Sequence, residues 1–303
     1  MTRVVFLLVQ GLHLLDLAGP AQVFGSAIDF GLDYRISHVG EQARIQTAQG
    51  LSVNAEPALP TLGSADLIVV PGWRARPGLG GSGPLAPQTL AWLRRHHAAG
   101  GLIASICAGA DALGRAGLLD GRRCTTHHEL QDELARRYPR ANVVRDVLYV
   151  VDGRVVTSAG IASGIDLALH LMATRHGPAL AAKIARTMVV YARRNGDEAQ
   201  SSAMLRHRGH LNDTVHRVQD LIENRLTDRL PLTDLADAVG CSERTVTRMF
   251  GRATGLTPLR YQQLLRLERA EHLIGQGATV ESAAHAVGFE DARMLRRLRQ
   301  RAS

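Results

Sequence analysis

The sequence predicts two domains of different class: an α/β domain over residues 1–194, its mostly parallel sheet sandwiched by helices, and an all-α domain over 213–303, joined by a linker at 195–212. Three observations carry this reading. Short apolar, β-rich runs alternate with helical patterns up to about residue 193, which is the rhythm of βαβ units. Apolar periodicity then lapses between Asn195 and Asn212, where Gly, Ser and polar residues gather. Beyond that point every segment has helical spacing, and one pattern occurs twice.

Each element follows from its own residues. Val4–Val9 is an unbroken apolar run, as expected of a strand buried on both faces, and Leu17–Phe30 has helical spacing. Tyr34–Val39 is a strand, and Leu67–Val70 is another, ended by Pro71-Gly72. A helix over Leu85–Ala99 precedes the strand Leu102–Ile106, which runs straight into Cys107 and a helical stretch, Ala108–Gly117. Val147–Val151 and Arg154–Thr157 flank Asp152-Gly153, a hairpin turn signal. Two apolar helices, Ile161–Arg175 and Pro178–Arg193, close the domain.

Composition narrows the function classes. The chain has 303 residues, 45% hydrophobic and 21% charged, which is globular and unlike a disordered chain. Its 36 basic and 28 acidic residues leave a net charge of +8, and Lys183 is the only lysine. Split at 205/206, the last 98 residues carry +4 and the first 205 also +4, so positive charge is about twice as dense in the helical part. This permits a polyanionic partner without requiring one. Cys107, Cys124 and Cys241 form no CxxC pair, giving neither a disulfide framework nor a zinc signature and pointing to reducing cytoplasm. The run after Met1 reads as a first strand rather than a leader, and no stretch is long enough to span a membrane.

Leu232–Gly240 and Val280–Gly288 superpose at a 48-residue offset, each with apolar residues at i, i+3, i+4 and i+7 before a helix-ending glycine. A second helix follows each. In the first copy Ser242 is the expected N-cap, Val246, Met249 and Phe250 face inward, and Arg244, Thr247 and Arg248 face outward. In the second, Asp291 caps, Leu295 and Leu298 face inward, and Arg293, Arg296 and Arg297 face outward. Helix, glycine turn and capped helix with outward arginines is the helix-turn-helix arrangement, whose second helix enters the major groove. Arginine suits that place because its fork bonds guanine O6 and N7 together. Two ordinary helical hairpins in a bundle are the alternative. Pro258–Gly275 forms one long helix between the copies and could set their spacing.

Ala236–Tyr261, Arg266–Ile274 and Val287–Glu290 resemble the AraC/XylS regulator domain over roughly residues 213–298. The resemblance implies that Arg244, Thr247 and Arg248 read bases in one helix and Arg293, Arg296 and Arg297 in the other. Where the family carries an aromatic core residue this chain has Arg299, which predicts a less firmly packed second reader.

Cys107 ends a strand and is followed by the small residues Ala108, Gly109 and Ala110. A side chain on such a turn projects at the carboxyl edge of the sheet, where open α/β folds bind ligands, and the helix N-terminus favours thiolate. His127 or His128 together with Asp16 could complete a Cys/His/acid set. A small buried hydrophobe is the plainer reading, and it is the one taken for Cys124 and Cys241.

Ser105–Gly109, Gly117–His127, Asp16–Pro20 and Thr157–Leu167 together resemble the DJ-1/PfpI superfamily over residues 3–193, which implies a flavodoxin-like fold. By that resemblance Cys107 is the elbow cysteine, Asp16 the acid touching it and His127 the histidine after the Thr-Thr pair. Ala108 and Trp73 depart from the pattern, at the positions of the protease-like histidine and of a second glycine in Pro71-Gly72-Trp73. A DJ-1/PfpI-like domain followed by an AraC-like one resembles the GlxA-type transcriptional regulators. That resemblance implies a cytoplasmic homodimer, a double-stranded DNA operator, RNA polymerase as a partner, and a small-molecule effector bound rather than turned over, with no cofactor, metal or membrane. Asp16, Trp73, Cys107 and His127 are the expected effector pocket, the acid and the ring cradling an amino-acid-like or quaternary-amine compound. A cysteine-dependent hydratase, amidase or lyase is the competing class, and a redox-sensing thiol a third.

Overall fold

The computed structural model describes residues 1–74, 85–190, 194–198, 200, 207–275 and 277–302. Among the described residues ten strands form: β1 Thr2–Leu8, β2 Tyr34–Gly40, β3 Arg44–Gln46, β4 Ser52–Asn54, β5 Leu67–Val70, β6 Leu102–Ile106, β7 Arg123–Cys124, β8 Asn142–Val143, β9 Tyr149–Asp152 and β10 Val155–Ser158. The α-helices among the described residues are α1 Leu14–Asp29, α2 Pro87–Ala98, α3 Ala110–Arg115, α4 Gln131–Arg137, α5 Ser163–His176, α6 Pro178–Thr187, α7 Asp213–Asn224, α8 Leu232–Val239, α9 Glu243–Thr254, α10 Pro258–Gly275, α11 Val280–Ala286 and α12 Ala292–Ala302. The chain divides into two compact units, Met1–Gln200 and Ser201–Ser303.

In the first unit six strands lie in the order β2-β1-β5-β6-β10-β9, parallel except for the β9–β10 hairpin. The central strands are apolar at nearly every position because helices cover both faces, and Val4, Val5, Ile68 and Ile103 have no exposed surface. Helices α1, α5 and α6 pack together, as do α2, α3 and α4, giving the two helical layers. Register sets the site. Val70 pairs with Ser105 and Ser158 with Ile106, so the carboxyl ends of β5, β6 and β10 lie side by side.

Several boundaries differ from the sequence reading for identifiable reasons. The stretch after β6 begins as a 3₁₀ turn, Cys107–Gly109, and becomes α-helical only at Ala110. Helix α6 stops at Thr187, and Val189 has a positive φ of 56°; residues 191–193 of the expected helix lie outside the described residues. The described residues at both ends of the expected linker make fixed contacts. Arg194 donates three hydrogen bonds to the buried Asp166 carboxylate, and Tyr149 and Leu148 donate to the carbonyls of Gly196 and Glu198. At its other end Arg208 pairs with Asp220 and Glu223, and Asn212 caps α7. Residues 199 and 201–206 of that stretch lie outside the described residues. No helix is long and apolar enough to cross a membrane, among the described residues.

The second unit holds two helix-turn-helix lobes, each with its own core. Val218, Ile222, Leu235, Val246 and Phe250 fill the first; Ala270, Ala283, Ala284, Leu295 and Leu298 fill the second. Helix α10 supplies Tyr261 and Leu265 to one and Leu267 and Ala270 to the other. The turns follow from Gly240 and Gly288, at φ 68° and 83°, a backbone region that favours glycine. Ser242 caps α9 by accepting from the Thr245 amide at 3.2 Å. Ser242→Ala should lower the stability of this unit by about 1 kcal/mol, read as a fall in its urea midpoint by circular dichroism; an unmoved midpoint would mean that packing alone holds the helix.

Candidate functional site

Cys107 sits on a sharp turn at the carboxyl edge of the sheet with φ 54°, a conformation rare for a residue with a side chain. Glycines make room for it. A Cβ on Gly160 would lie 2.2 Å from Cys107 Cβ, one on Gly72 2.8 Å from it, and one on Gly109 2.1 Å from the Val70 carbonyl oxygen. Thr126 Oγ1 donates to the Cys107 carbonyl at 2.8 Å and holds the turn from the other side.

Asp16 lies in the first turn of α1, wholly buried. Its Oδ1 accepts from the Ile161 amide at 2.6 Å and its Oδ2 from the Gly72 amide at 3.2 Å, and the carboxyl group is hydrogen-bonded to the Cys107 thiol. Burial raises its pKa against the opposing pull of the two amides and of His13. Burial also pushes the Cys107 thiol well above the ordinary thiol range, and the neighbouring Asp16 carboxylate adds to the shift. This corrects the expectation of a thiolate. The helix behind the cysteine starts as a single 3₁₀ turn and runs for only six α-helical residues, while desolvation and a like charge act directly on the sulfur.

His127 does not join them. Its Nδ1 lies 3.8 Å from Glu129 Oε2 and its ring centroid 4.3 Å from that of His128; burial lowers its pKa, with the adjacent His128 adding to the effect. The expected Cys/His/acid set is thus present as a cysteine and an acid, with the histidine turned to neighbours of its own. Trp73 is 8% exposed and packs in the core, its backbone bridged to Leu12. Asp16 is buried as well, so both groups of the expected cradle lie beneath the surface. Sequence reading gave no role to Gly72, Thr126, Gly160 or Ile161. Gly72 and Gly160 each lie two residues after a strand, β5 and β10.

On the helical unit Arg244 and Arg248 are exposed and Thr247 is half-buried, all on α9. Arg293, Arg296 and Arg297 are exposed on α12. The two helices differ in how their arginines are held. Arg296 pairs with Glu281, Arg293 with Asp291 at 3.6 Å, and Arg299 with Glu271 at 2.7 Å. Among the described residues Arg244, Arg248 and Arg297 make no ion pair. The second helix is also packed more firmly than expected. Leu295 is wholly buried and Leu298 nearly so, and Arg299 is satisfied at the rim by Glu271 instead of occupying the core.

Two family models match: the DJ-1/PfpI family over residues 2–174 and a helix-turn-helix domain over 235–302. The chain is 31% identical to the HTH-type transcriptional regulator CdhR of Pseudomonas aeruginosa over 94% of its own length and 84% of that protein's. It is 33% identical to an isonitrile hydratase of Pseudomonas putida over 56% of its own length and 70% of that enzyme's, a shorter match. In fold it is similar to a crystal structure of an AraC family transcriptional regulator from Pseudomonas putida, with a TM-score of 0.52 and 24% identity, covering 62% of this chain and all of that one. With its sheet order, its cysteine elbow and its paired helix-turn-helix lobes, the chain belongs to the DJ-1/PfpI family and carries a C-terminal helix-turn-helix domain.

Proposed function

We propose that this protein is a sequence-specific DNA-binding transcriptional regulator of the cytoplasm whose first unit binds a small-molecule effector without turning it over and joins two chains as a homodimer, with RNA polymerase as a further partner. One observation carries the reading: a capped helix with outward arginines follows a glycine turn twice in one unit, in a chain similar to an HTH-type regulator over almost its whole length. In this reading Arg244, Thr247 and Arg248 address bases, and Arg293, Arg296 and Arg297 address a neighbouring groove. The effector would enter at the carboxyl edge beside Asp16, Trp73, Cys107 and His127. His127 and His13 are the partly exposed members of that edge, so they form its mouth. An effector regulates only through a difference in affinity between two arrangements of the protein.

A second reading, cysteine-dependent catalysis, is favoured by the strained elbow and the acid on its thiol. Against it stand the raised thiol pKa and, among the described residues, the absence of a histidine hydrogen-bonded to the sulfur. Turnover of an isonitrile that Cys107→Ser abolishes would establish the enzyme instead.

The DNA reading is tested by fluorescence anisotropy of the full chain on fragments from upstream of its own gene, with excess nonspecific DNA. Arg248→Ala should cost specific binding about 1–3 kcal/mol, and more than Arg297→Ala. Equal losses, or the reverse order, would overturn the assignment of α9 as the principal reader. Binding that competitor removes equally from all three proteins would reduce these helices to phosphate contacts.

The thiols give a pH test. Burial raises Cys107 and takes Cys124 to about 11, so the native thiols keep protons that the unfolded chain releases. Their contribution to stability is therefore intact below about pH 8.5 and is lost as pH climbs through the native values. Iodoacetamide at pH 8 should label half-buried Cys241 first in peptide mass spectra and leave Cys107 unmodified; prior labelling of Cys107 would show an activated thiolate.

A further inference from the structure

We infer that Arg266 is a positioning residue for DNA reading: it locks the two helix-turn-helix lobes at one separation, so that α9 and α12 meet a duplex in a single register. The inference rests on the DNA-binding reading above and concerns a residue on neither recognition helix. The two lobes have separate apolar cores that share no residue, and α10 runs through both. A shared helix alone leaves each lobe free to rock about it. Arg266, midway along α10, removes that freedom. Its Nε donates to the Leu226 carbonyl at 2.7 Å and its Nη2 to the Asp228 carbonyl at 2.8 Å, both in the loop between α7 and α8 of the first lobe. Its Nη1 donates to the Gly288 carbonyl at 2.7 Å, in the turn between α11 and α12 of the second. One planar guanidinium therefore bridges three backbone carbonyls belonging to both lobes, and the Phe289 ring lies 5.5 Å from it.

The surrounding geometry fits a joint. Gln262, one turn earlier on α10, donates to the same Leu226 and Asp228 carbonyls at 3.1 and 2.9 Å. Gly288 has φ 83°, and a Cβ there would stand 2.2 Å from the Thr227 carbonyl oxygen, so the turn of the second lobe rests directly on the loop of the first. Lysine could reach one of these carbonyls but has no rigid fork to hold three in fixed directions. Two linked readers gain avidity only where their separation matches the site, and a loosened joint spreads that gain over several separations.

The test selects sites from random-sequence duplex DNA with the full wild-type chain and with Arg266→Lys, sequencing the bound pools. The wild type should return two sequence blocks at one separation. Arg266→Lys should return the same blocks at a spread of separations, with affinity for the wild-type arrangement lowered about tenfold. A merely structural role would weaken binding without broadening the spacing, so one unbroadened separation in the variant overturns the proposal. A wild-type pool with no enriched blocks would sink the DNA-binding reading itself. Should Arg266→Lys unfold below the assay temperature, Arg266→Gln, selected below its own melting midpoint, carries the test. Its side-chain amide cannot bridge the three carbonyls of Leu226, Asp228 and Gly288, and an unchanged single separation in it likewise overturns the proposal.

Discussion

A carboxyl group sealed among backbone amides organises the first unit. Asp16 comes from the helix after β1, its two amide partners from the segments after β5 and β10, and its thiol partner from the turn after β6. Four connections at the carboxyl edge thus converge on one side chain. The arrangement depends on the parallel register, which brings those strand ends together, and on Gly72 and Gly160, whose missing side chains leave the space that Cys107 fills. A charged carboxylate in that place carries a desolvation cost of several kcal/mol, and two amides offset only part of it. The raised pKa of Asp16 is the consequence, and the raised pKa of its cysteine neighbour follows from both burial and that acid.

The same geometry bears on what the elbow cysteine can do. An elbow cysteine becomes a nucleophile when a base takes its proton or a positive field lowers its pKa. In this chain the nearest ionisable group is an acid, Ala108 follows the cysteine, and His127 is committed to Glu129 and His128. What remains is an edge at which Asp16 and Cys107 are buried and His13 and His127 are partly exposed. Function lies in the site rather than the fold, and here the site pairs a buried thiol with a buried acid.

The sequence announces this architecture unevenly. Strands β1, β5 and β6 are legible because burial on both faces demands unbroken apolar runs, and the paired lobes because 3.6-residue spacing, glycine turns and caps agree. The two-residue ribbon of β7 and β8 carries too little pattern to be seen. Residues 195–198 look like linker because polarity is the only signal they offer, yet their carbonyls and the preceding Arg194 are bonded to the first unit. Cys107 and Asp16 could be singled out from their places after strands. The glycines that admit them offer only their places just past strand ends, since the close approach between segments far apart in sequence that requires them leaves no local trace. His127 misled for the complementary reason: order in the chain suggests a partner, and only the folded turn shows where the ring goes. Trp73 has the residue type for a ligand platform but is buried.

The net charge of +8 overstates what the surface offers to a polyanion, because arginine serves two purposes in this chain. Arg3, Arg194 and Arg208 are tied to Asp66, Asp166 and Glu223, and Arg266 is spent on backbone carbonyls. These act as cross-links, and a planar five-donor group suits that use better than an ammonium. Arg293 and Arg296 stand between the two uses, outward but paired with acids of their own lobe. Such exposed pairs are worth about 1 kcal/mol or less, so a phosphate or a guanine edge can displace the acid, though at some loss of net attraction. Arg244 and Arg248 face no such competition. Both lobes have a glycine turn and a capped second helix, so they differ in how freely their arginines stand, and the joint at Arg266 makes the second lobe follow where the first one lands.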